Sequence, residues 1–298
     1  MKIVVTGHGG QVALSLMERA ALHPSIELVA LGRPKLDLAQ PQTIFQAIVD
    51  AAPDLVVSAA AYTAVDQAED EAELASVINT AGATAVAEAA AHINAPIIHL
   101  STDYVFSGEG REPYKEEDPT GPKGVYGQTK LNGELGVIQA NKRHFILRTA
   151  WVYSPFGKNF VKTMLRLAET RDQLSVVSDQ WGNPTSALDI ADAILHMAER
   201  LQTDPSFNSF GVYHLAGTGS INWSGFAQKI FEYSRARNGP YADVAGIATA
   251  DYPTKAKRPL NSQLSTDRFF ETFGWRAPEW PQSLEHVVDR ILADNSQG

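Results

Sequence analysis

The sequence predicts an α/β protein, a doubly wound parallel sheet carrying a smaller C-terminal lobe. Three observations predict it. Short β-branched or unbroken apolar runs alternate with segments of helical periodicity through the first 216 residues. The first of these runs passes at once into a glycine-rich turn and then a helix. Hydroxyl-bearing and aromatic segments fall where the apolar runs end, the edge at which parallel sheets bind ligands.

Bulk composition narrows the class. With 298 residues, 44% hydrophobic and 20% charged, the chain has room for two domains and reads as globular. It has no cysteine, which excludes disulfides, thiol catalysis and a thiolate metal site, and fits a reducing cytoplasm. A net charge of −9 argues against general nucleic-acid binding, which needs a basic face. Any anionic ligand must then be held by local cations and backbone donors. The apolar run Ile3-Val4-Val5 is cut short by Thr6-Gly7-His8-Gly9-Gly10, unlike a signal peptide. No apolar stretch approaches the roughly 20 residues of a membrane helix, so no membrane partner is expected.

Lys2–Thr6 reads as a strand and Ala13–Leu22 as a helix, joined by Gly7-x-x-Gly10-x-x-Ala13. That spacing is a variant of the dinucleotide fingerprint. The glycines permit a tight turn and close backbone approach to a pyrophosphate, which rests on the helix N-terminus at Gln11 and Val12. The second strand, Glu27–Leu31, ends in Gly32-Arg33, and an arginine there accommodates a ribose 2′-phosphate. NADPH is therefore expected, with NADH as the alternative. Asp37 and Leu38 follow in a position suited to line the adenine, before a helix over about Pro41–Ala51.

Asp54–Ala59 is a buried parallel strand leading into Ala60-Ala61-Tyr62-Thr63, where small residues let a flat ligand lie against the backbone. The acidic string Glu69-Asp70-Glu71-Glu73 reads as a solvated helix start. A long alanine-rich helix from about Glu73 to His92 follows, and then the strand Pro96–Leu100 ending in Ser101-Thr102-Asp103-Tyr104-Val105-Phe106. Residues 107–124 read as a loop. Beyond it, Tyr126 and Lys130 lie four apart, on one face if the segment is helical. Alone, such a pair describes an ordinary helix. Beside a nicotinamide site it describes a proton donor and a neighbouring ammonium that would favour phenolate.

Later segments read as a strand at Phe145–Arg148, a helix over about Asn159–Glu169, a strand at Leu174–Val177, a helix over Ala187–Leu201 and a short strand near Val212–Leu215. From Gly217 the alternation weakens into a helix at Trp223–Arg235, a basic loop Lys255-Ala256-Lys257-Arg258, and short helices at Thr266–Phe273 and Gln282–Ala293. The expected division assigns residues 1–150 and 173–216 to the NADP-binding Rossmann unit. Residues 151–172 and 217–298 form the substrate lobe.

Thr6-Gly7-x-x-Gly10, the hydroxyl at Thr102 and Tyr126-x-x-x-Lys130 together resemble the extended short-chain dehydrogenase/reductase family. The resemblance runs nearly end to end. It narrows through Ala59-Ala60-Ala61-Tyr62-Thr63-Ala64-Val65-Asp66, Ser101–Phe106, Arg148-Thr149-Ala150-Trp151-Val152-Tyr153 and Arg258-Pro259-Leu260-Asn261-Ser262 to members that reduce dTDP-linked 4-keto-6-deoxyhexoses. It implies Thr102, Tyr126 and Lys130 as catalytic residues, with Tyr126 protonating the C4 oxygen and Lys130 holding the nicotinamide ribose and lowering the tyrosine pKa. It also implies Val105, Phe106 and Trp151 against the sugar, and Arg258, Asn261 and Ser262 on the nucleotide diphosphate, since guanidinium forks suit phosphate. Sugar-nucleotide 4,6-dehydratases carry Asp-Glu after the active-site Thr, whereas Asp103 here precedes Tyr104. A magnesium-bridged dimer of the family needs carboxylates where this chain has Ser15 and Leu188. No metal is therefore expected, and the chain is read as a monomer or homodimer. Reduction or epimerisation of another nucleotide sugar, or a non-catalytic NADP-binding regulatory subunit, stay open as alternatives.

Overall fold

The computed structural model describes residues 1–295. The first half alternates strand and helix: β1 (Lys2–Thr6), α1 (Gln11–Ala20), β2 (Glu27–Leu31), α2 (Ile44–Ala51), β3 (Leu55–Ser58), α3 (Val65–Ala68), α4 (Ala72–Ser76), α5 (Ala83–His92), β4 (Ile97–Thr102), α6 (Val125–Ala140) and β5 (His144–Thr149). The second half is more broken. It contains β6 (Val152–Tyr153), α7 (Phe160–Ala168), β7 (Gln173–Val177), β8 (Trp181–Gly182), β9 (Thr185–Ser186), α8 (Ala187–Thr203), β10 (Gly211–His214), β11 (Ile221–Asn222), α9 (Trp223–Ala236), β12 (Asp243–Ile247), α10 (Asp267–Phe273) and α11 (Trp280–Asn295).

Six parallel strands form the large sheet in the order β10-β5-β4-β3-β1-β2. The order reverses at β1, so the crevice between the ends of β1 and β3 is the topological switch point, where open α/β sheets bind ligands. Strand side chains alternate between two apolar layers, as the two-residue period requires. Leu55, Val57, Ile98, Phe145 and Leu147 face α1 and α8 with Leu16, Ile190 and Ile194. Val56, Ile97 and Ile146 face the other side with Ile44, Ile48, Val86 and Val137 of α2, α5 and α6. Burial on both faces explains why these strands read as unbroken apolar runs.

The expected helix from Glu73 to His92 forms, with a π-helical stretch over Val77–Gly82 between α4 and α5. Sequence reasoning placed the strand at Leu174–Val177 with the Rossmann unit. It forms, but outside the large sheet: β7 pairs with β12, and Leu174 and Val176 pack with Tyr153, Phe226, Leu284 and Val288 in a separate core. Two further small pairs, β6–β9 and β8–β11, knit this lobe beside the carboxyl edge of the large sheet. Among the described residues no helix is long and apolar enough to cross a membrane.

Candidate active site

The site is built on the ends of β1, β3 and β4 and on the first turn of α6. Thr6 closes β1, and its Oγ1 accepts hydrogen bonds from the backbone N–H groups of Ala59 and Ala60, both at 3.0 Å, pinning β3's exit against the glycine turn. Gly7 takes φ +89°, a left-handed conformation that glycine adopts without strain. Gly9 and Gly10 are exposed, with open space where side chains would stand, and α1 starts with no side-chain cap. A ten-residue helix thus points orphan N–H donors into an open turn, which fits a pyrophosphate.

Other expected cofactor residues are distributed as follows. Arg33 is exposed at the end of β2, while the His8 ring covers Gly32 and its Nε2 lies 3.3 Å from the Arg33 carbonyl. Asp37 is half-buried and its Oδ1 accepts from the Ala39 N–H at 3.0 Å, while the Leu38 side chain is buried in the core. Ala61, Tyr62 and Thr63 line β3's exit, held by Asn79. The Asn79 amide accepts from the Tyr62 N–H at 2.8 Å and donates to its carbonyl at 3.1 Å and to Thr129 Oγ1 at 3.2 Å. Gln11 turns away from the glycine turn. Its Oε1 accepts from Ser154 Oγ at 2.9 Å and Asn159 Nδ2 at 3.1 Å, and its Nε2 donates to the Val152 carbonyl at 3.4 Å.

Thr102 and Tyr126 come together, and Lys130 follows one turn on along α6 with its ammonium on the β4 backbone. Thr102 ends β4, where its Oγ1 accepts from the Tyr104 N–H at 3.2 Å and donates to Asp103 at 2.9 Å. Tyr126 stands in the first turn of α6, packed edge-on to Tyr104 with ring centroids 5.5 Å apart. The close approach depends on Gly127, because a Cβ there would meet the Tyr104 carbonyl oxygen at 2.2 Å. The start of α6 is capped from afar: the Val125 N–H donates to Glu69 Oε1 at 2.9 Å.

The acidic string is a solvated helix start at Asp70 and Glu73, which are exposed, with Glu73 in the first turn of α4, but not at Glu69 and Glu71. Glu69 caps α6, Asp70 pairs with Lys255, and Glu71 accepts from the Tyr62 hydroxyl at 2.8 Å.

Electrostatics sharpen the roles. Burial pushes the Tyr126 phenol well above its ordinary range, and contact with Thr102 only partly offsets it. Sequence reasoning expected Lys130 to lower this pKa. Instead the Lys130 ammonium donates to the Leu100 carbonyl at 2.6 Å and approaches His99 Nε2 at 3.4 Å, so it is spent on β4. Burial pushes Lys130 down to about 8, with Glu134 pulling it back up. Burial raises Asp103 to about 6, and its Oδ2 has no hydrogen-bond partner.

Beneath the triad lies a buried pair that sequence reasoning missed. Glu134, one helical turn beyond Lys130, receives the Arg148 guanidinium at 2.7 and 3.0 Å and the Ser101 hydroxyl. The (i, i+4) spacing of Lys130 and Glu134 on α6 was the available signal.

Residues expected at the substrate divide into three groups. Val105 and Phe106 are corrected: they pack with Tyr114, Ala150 and Leu264, at 0% and 2% exposure, out of reach of a sugar in this conformation. Trp151 adopts φ +49°, stacks on Trp223 at 3.5 Å and donates from Nε1 to Ser262 Oγ at 3.1 Å, leaving the indole half-buried. Arg258 reaches a cleft of about 630 Å³ that also carries Arg111, Lys123 and Lys257 against Glu109 and Asp179. Its guanidinium is presently paired with Asp66 at 2.7 Å. Asn261 and Ser262 are buried and hold backbone, Asn261 through the Glu112 carbonyl and Ser262 through that of Trp181. The cleft does not itself reach Tyr126. Tyr104 lies between the two, its ring against Tyr126 and its phenol felt by the Arg258 charge. Among the described residues no group of three or more His, Asp or Glu side chains could hold a metal ion.

With this geometry in place, comparison assigns the family. The model of the RmlD substrate binding domain matches residues 1–293. The chain belongs to that family. A Sinorhizobium fredii relative named dTDP-4-dehydrorhamnose reductase is 49% identical over 294 residues, covering 99% of each chain. A Clostridium acetobutylicum dTDP-4-dehydrorhamnose reductase superposes with a TM-score of 0.90 at 36% identity, over 98% of this chain and 100% of that one. The Bacillus anthracis protein of the same name, solved in complex with NADP, gives a TM-score of 0.87 at 34% identity, over 96% and 98%. In this RmlD-family chain, therefore, the glycine turn, the switch-point crevice and the triad sit on one edge of one sheet.

Proposed function

We propose that the chain reduces the C4 ketone of dTDP-4-dehydro-6-deoxy-L-mannose to dTDP-L-rhamnose, using NADPH. The observation that carries this reading is the convergence of Thr102, Tyr126 and Lys130 at the sheet edge beside an uncapped glycine turn, in a chain whose relatives bear that reductase name. When bound, NADPH supplies the hydride. Everything else falls to side chains. Negative charge develops on the ketone oxygen, and a donor aimed at that oxygen lowers the barrier. Tyr126 is that donor, and its burial keeps the phenol protonated, the state a reduction consumes. Thr102 Oγ adds a second hydrogen bond to the same oxygen once its proton turns from Asp103 to the ketone. Lys130 holds the nicotinamide ribose with the ammonium proton that the Leu100 carbonyl and His99 leave over.

Arg258 and Lys257, on the cleft wall, take the diphosphate once Asp66 releases the guanidinium. Trp151 faces the sugar, and Arg33 receives the 2′-phosphate that separates NADPH from NADH. The division into a cofactor unit and a substrate lobe, a cytoplasmic location, and a monomer or homodimer without metal complete the reading. The test is loss of NADPH absorbance with the keto sugar nucleotide as substrate. Tyr126→Phe should lower turnover by about 10²–10⁴-fold while NADPH affinity holds. Full turnover in that variant, or no oxidation by the unaltered protein, overturns the reading. Oxidation with a differently based nucleotide sugar alone would favour a ketoreductase of other specificity.

A further inference from the structure

A polar chain runs through the sheet behind the triad. Ser58 on β3, His99 on β4 and Lys130 on α6 are 1%, 1% and 3% exposed. Ser58 Oγ lies 3.0 Å from His99 Nδ1, and His99 Nε2 lies 3.4 Å from Lys130 Nζ. An ammonium has three protons and no lone pair, so the imidazole nitrogen facing it must be the bare acceptor. The proton then sits on Nδ1, donated to Ser58 Oγ. This fixes both the tautomer and the charge of His99. Burial and the Lys130 charge hold it neutral.

We propose that His99 is a positioning residue for Lys130. With the Leu100 carbonyl it takes two of the three ammonium protons, leaving one for the cofactor. This rests on the reading of Lys130 as the ribose-binding residue. The charged and titratable groups around the ammonium are few. Glu134, one turn on along α6, is tied to Arg148 of β5; Asp103 follows β4 beyond Thr102; and Tyr126 stands one turn back on α6. Glu134 is the anion that supports the charge, and it is already shared with a guanidinium. The neutral His99 acceptor adds a hydrogen bond to the charge that Glu134 supports.

Two measurements decide it. The dissociation constant of NADPH is followed against pH for the unaltered protein, His99→Leu and His99→Gln. Leucine should move the alkaline loss of binding down by about one unit and weaken NADPH about tenfold, the worth of one charge-assisted hydrogen bond. Glutamine, whose Oε1 can accept from Lys130 while its amide donates to Ser58, should restore both. Unchanged binding in the leucine variant overturns the proposal, as does failure of glutamine to rescue a weakened one. Nitrogen-15 NMR of the imidazoles, with His99 assigned by its absence from the glutamine variant, should show a protonated Nδ1 and a bare Nε2 from acid up to the pH at which Lys130 loses its proton. A titrating His99, or a proton on Nε2, in that range refutes the proposal even if the leucine variant does not fold. Neither readout needs turnover, so an unaltered protein inactive on the keto sugar would sink the function and leave this question answered separately.

Discussion

Replacing Gly127 with alanine tests how far the site depends on one close approach. The added Cβ would stand 2.2 Å from the Tyr104 carbonyl oxygen and 3.0 Å from Pro122 Cβ. Ordinary contact begins near 3.4 Å, so roughly 1 Å must open between α6 and the turn after β4. The obstacle is backbone, and no rotamer change relieves it. Either Tyr126 or Thr102 has to move, and these are the two groups that share the ketone oxygen. A misplacement of about 1 Å at a reacting centre costs on the order of 10²-fold. Overpacking adds about 1–3 kcal/mol of instability, or some 2–4 °C of melting temperature for each kcal/mol. The expected outcome is a folded protein melting a few degrees lower, with kcat down about a hundredfold and the KM for NADPH little changed, since the glycine turn is remote from the clash. Turnover within about threefold of the unaltered protein would show that the Tyr104–Gly127 contact does not set the geometry.

Three further outcomes follow from buried charge and capping. Glu134→Leu strands the Arg148 guanidinium and should cost about 3–5 kcal/mol, whereas Glu134→Leu with Arg148→Met should recover most of it; a thermal melt in which the single variant loses under about 1 kcal/mol contradicts this. Glu69→Ala removes the cap from α6 and should cost about 1 kcal/mol, with a measurable fall in kcat because Tyr126 sits in the turn that frays; equal kcat would separate the cap from the chemistry. Asp103 and Asp189 each have a folded pKa raised from 3.8 to about 6 by burial, so between those values the folded chain holds protons that the unfolded chain has lost. Stability should therefore fall as pH rises through that window, by up to about 3 kcal/mol for each group. Asp103→Asn should gain on the unaltered protein between about pH 4 and 7, and a constant difference in melting temperature across that range would refute the cause.

What was legible in the sequence was whatever local pattern encodes. Buried parallel strands are continuous apolar runs, and the glycine turn and the Tyr126–Lys130 spacing are short-range signals carried by backbone geometry. The two-residue strands β6, β8, β9 and β11 are too short to show a period, and β7 was assigned to the wrong layer because its partner β12 lies 65 or more residues further on. The acidic string misled for a related reason. Charge on a surface helix is common, and only the fold reveals that Glu69 reaches the start of α6 and Asp66 the basic loop. Val105 and Phe106 were expected at the substrate from the motif around them, yet the turn after β4 rotates them into the apolar cluster under the 107–124 loop.

Gln11 has a bearing on how this fold could be re-engineered. Its backbone belongs to the glycine turn, while its side chain grips Val152, Ser154 and Asn159 in the segment that opens the smaller lobe. The amide is thus one of the ties between the lobe and the cofactor end, beside the Arg290–Glu18 pair that joins α11 to α1. A chimaera that imports a foreign lobe to change the sugar accepted must keep the Ser154 hydroxyl and the Asn159 amide, since the Val152 contact is to backbone. Otherwise the new lobe would lose one of the contacts that set hydride donor and ketone against a common reference point.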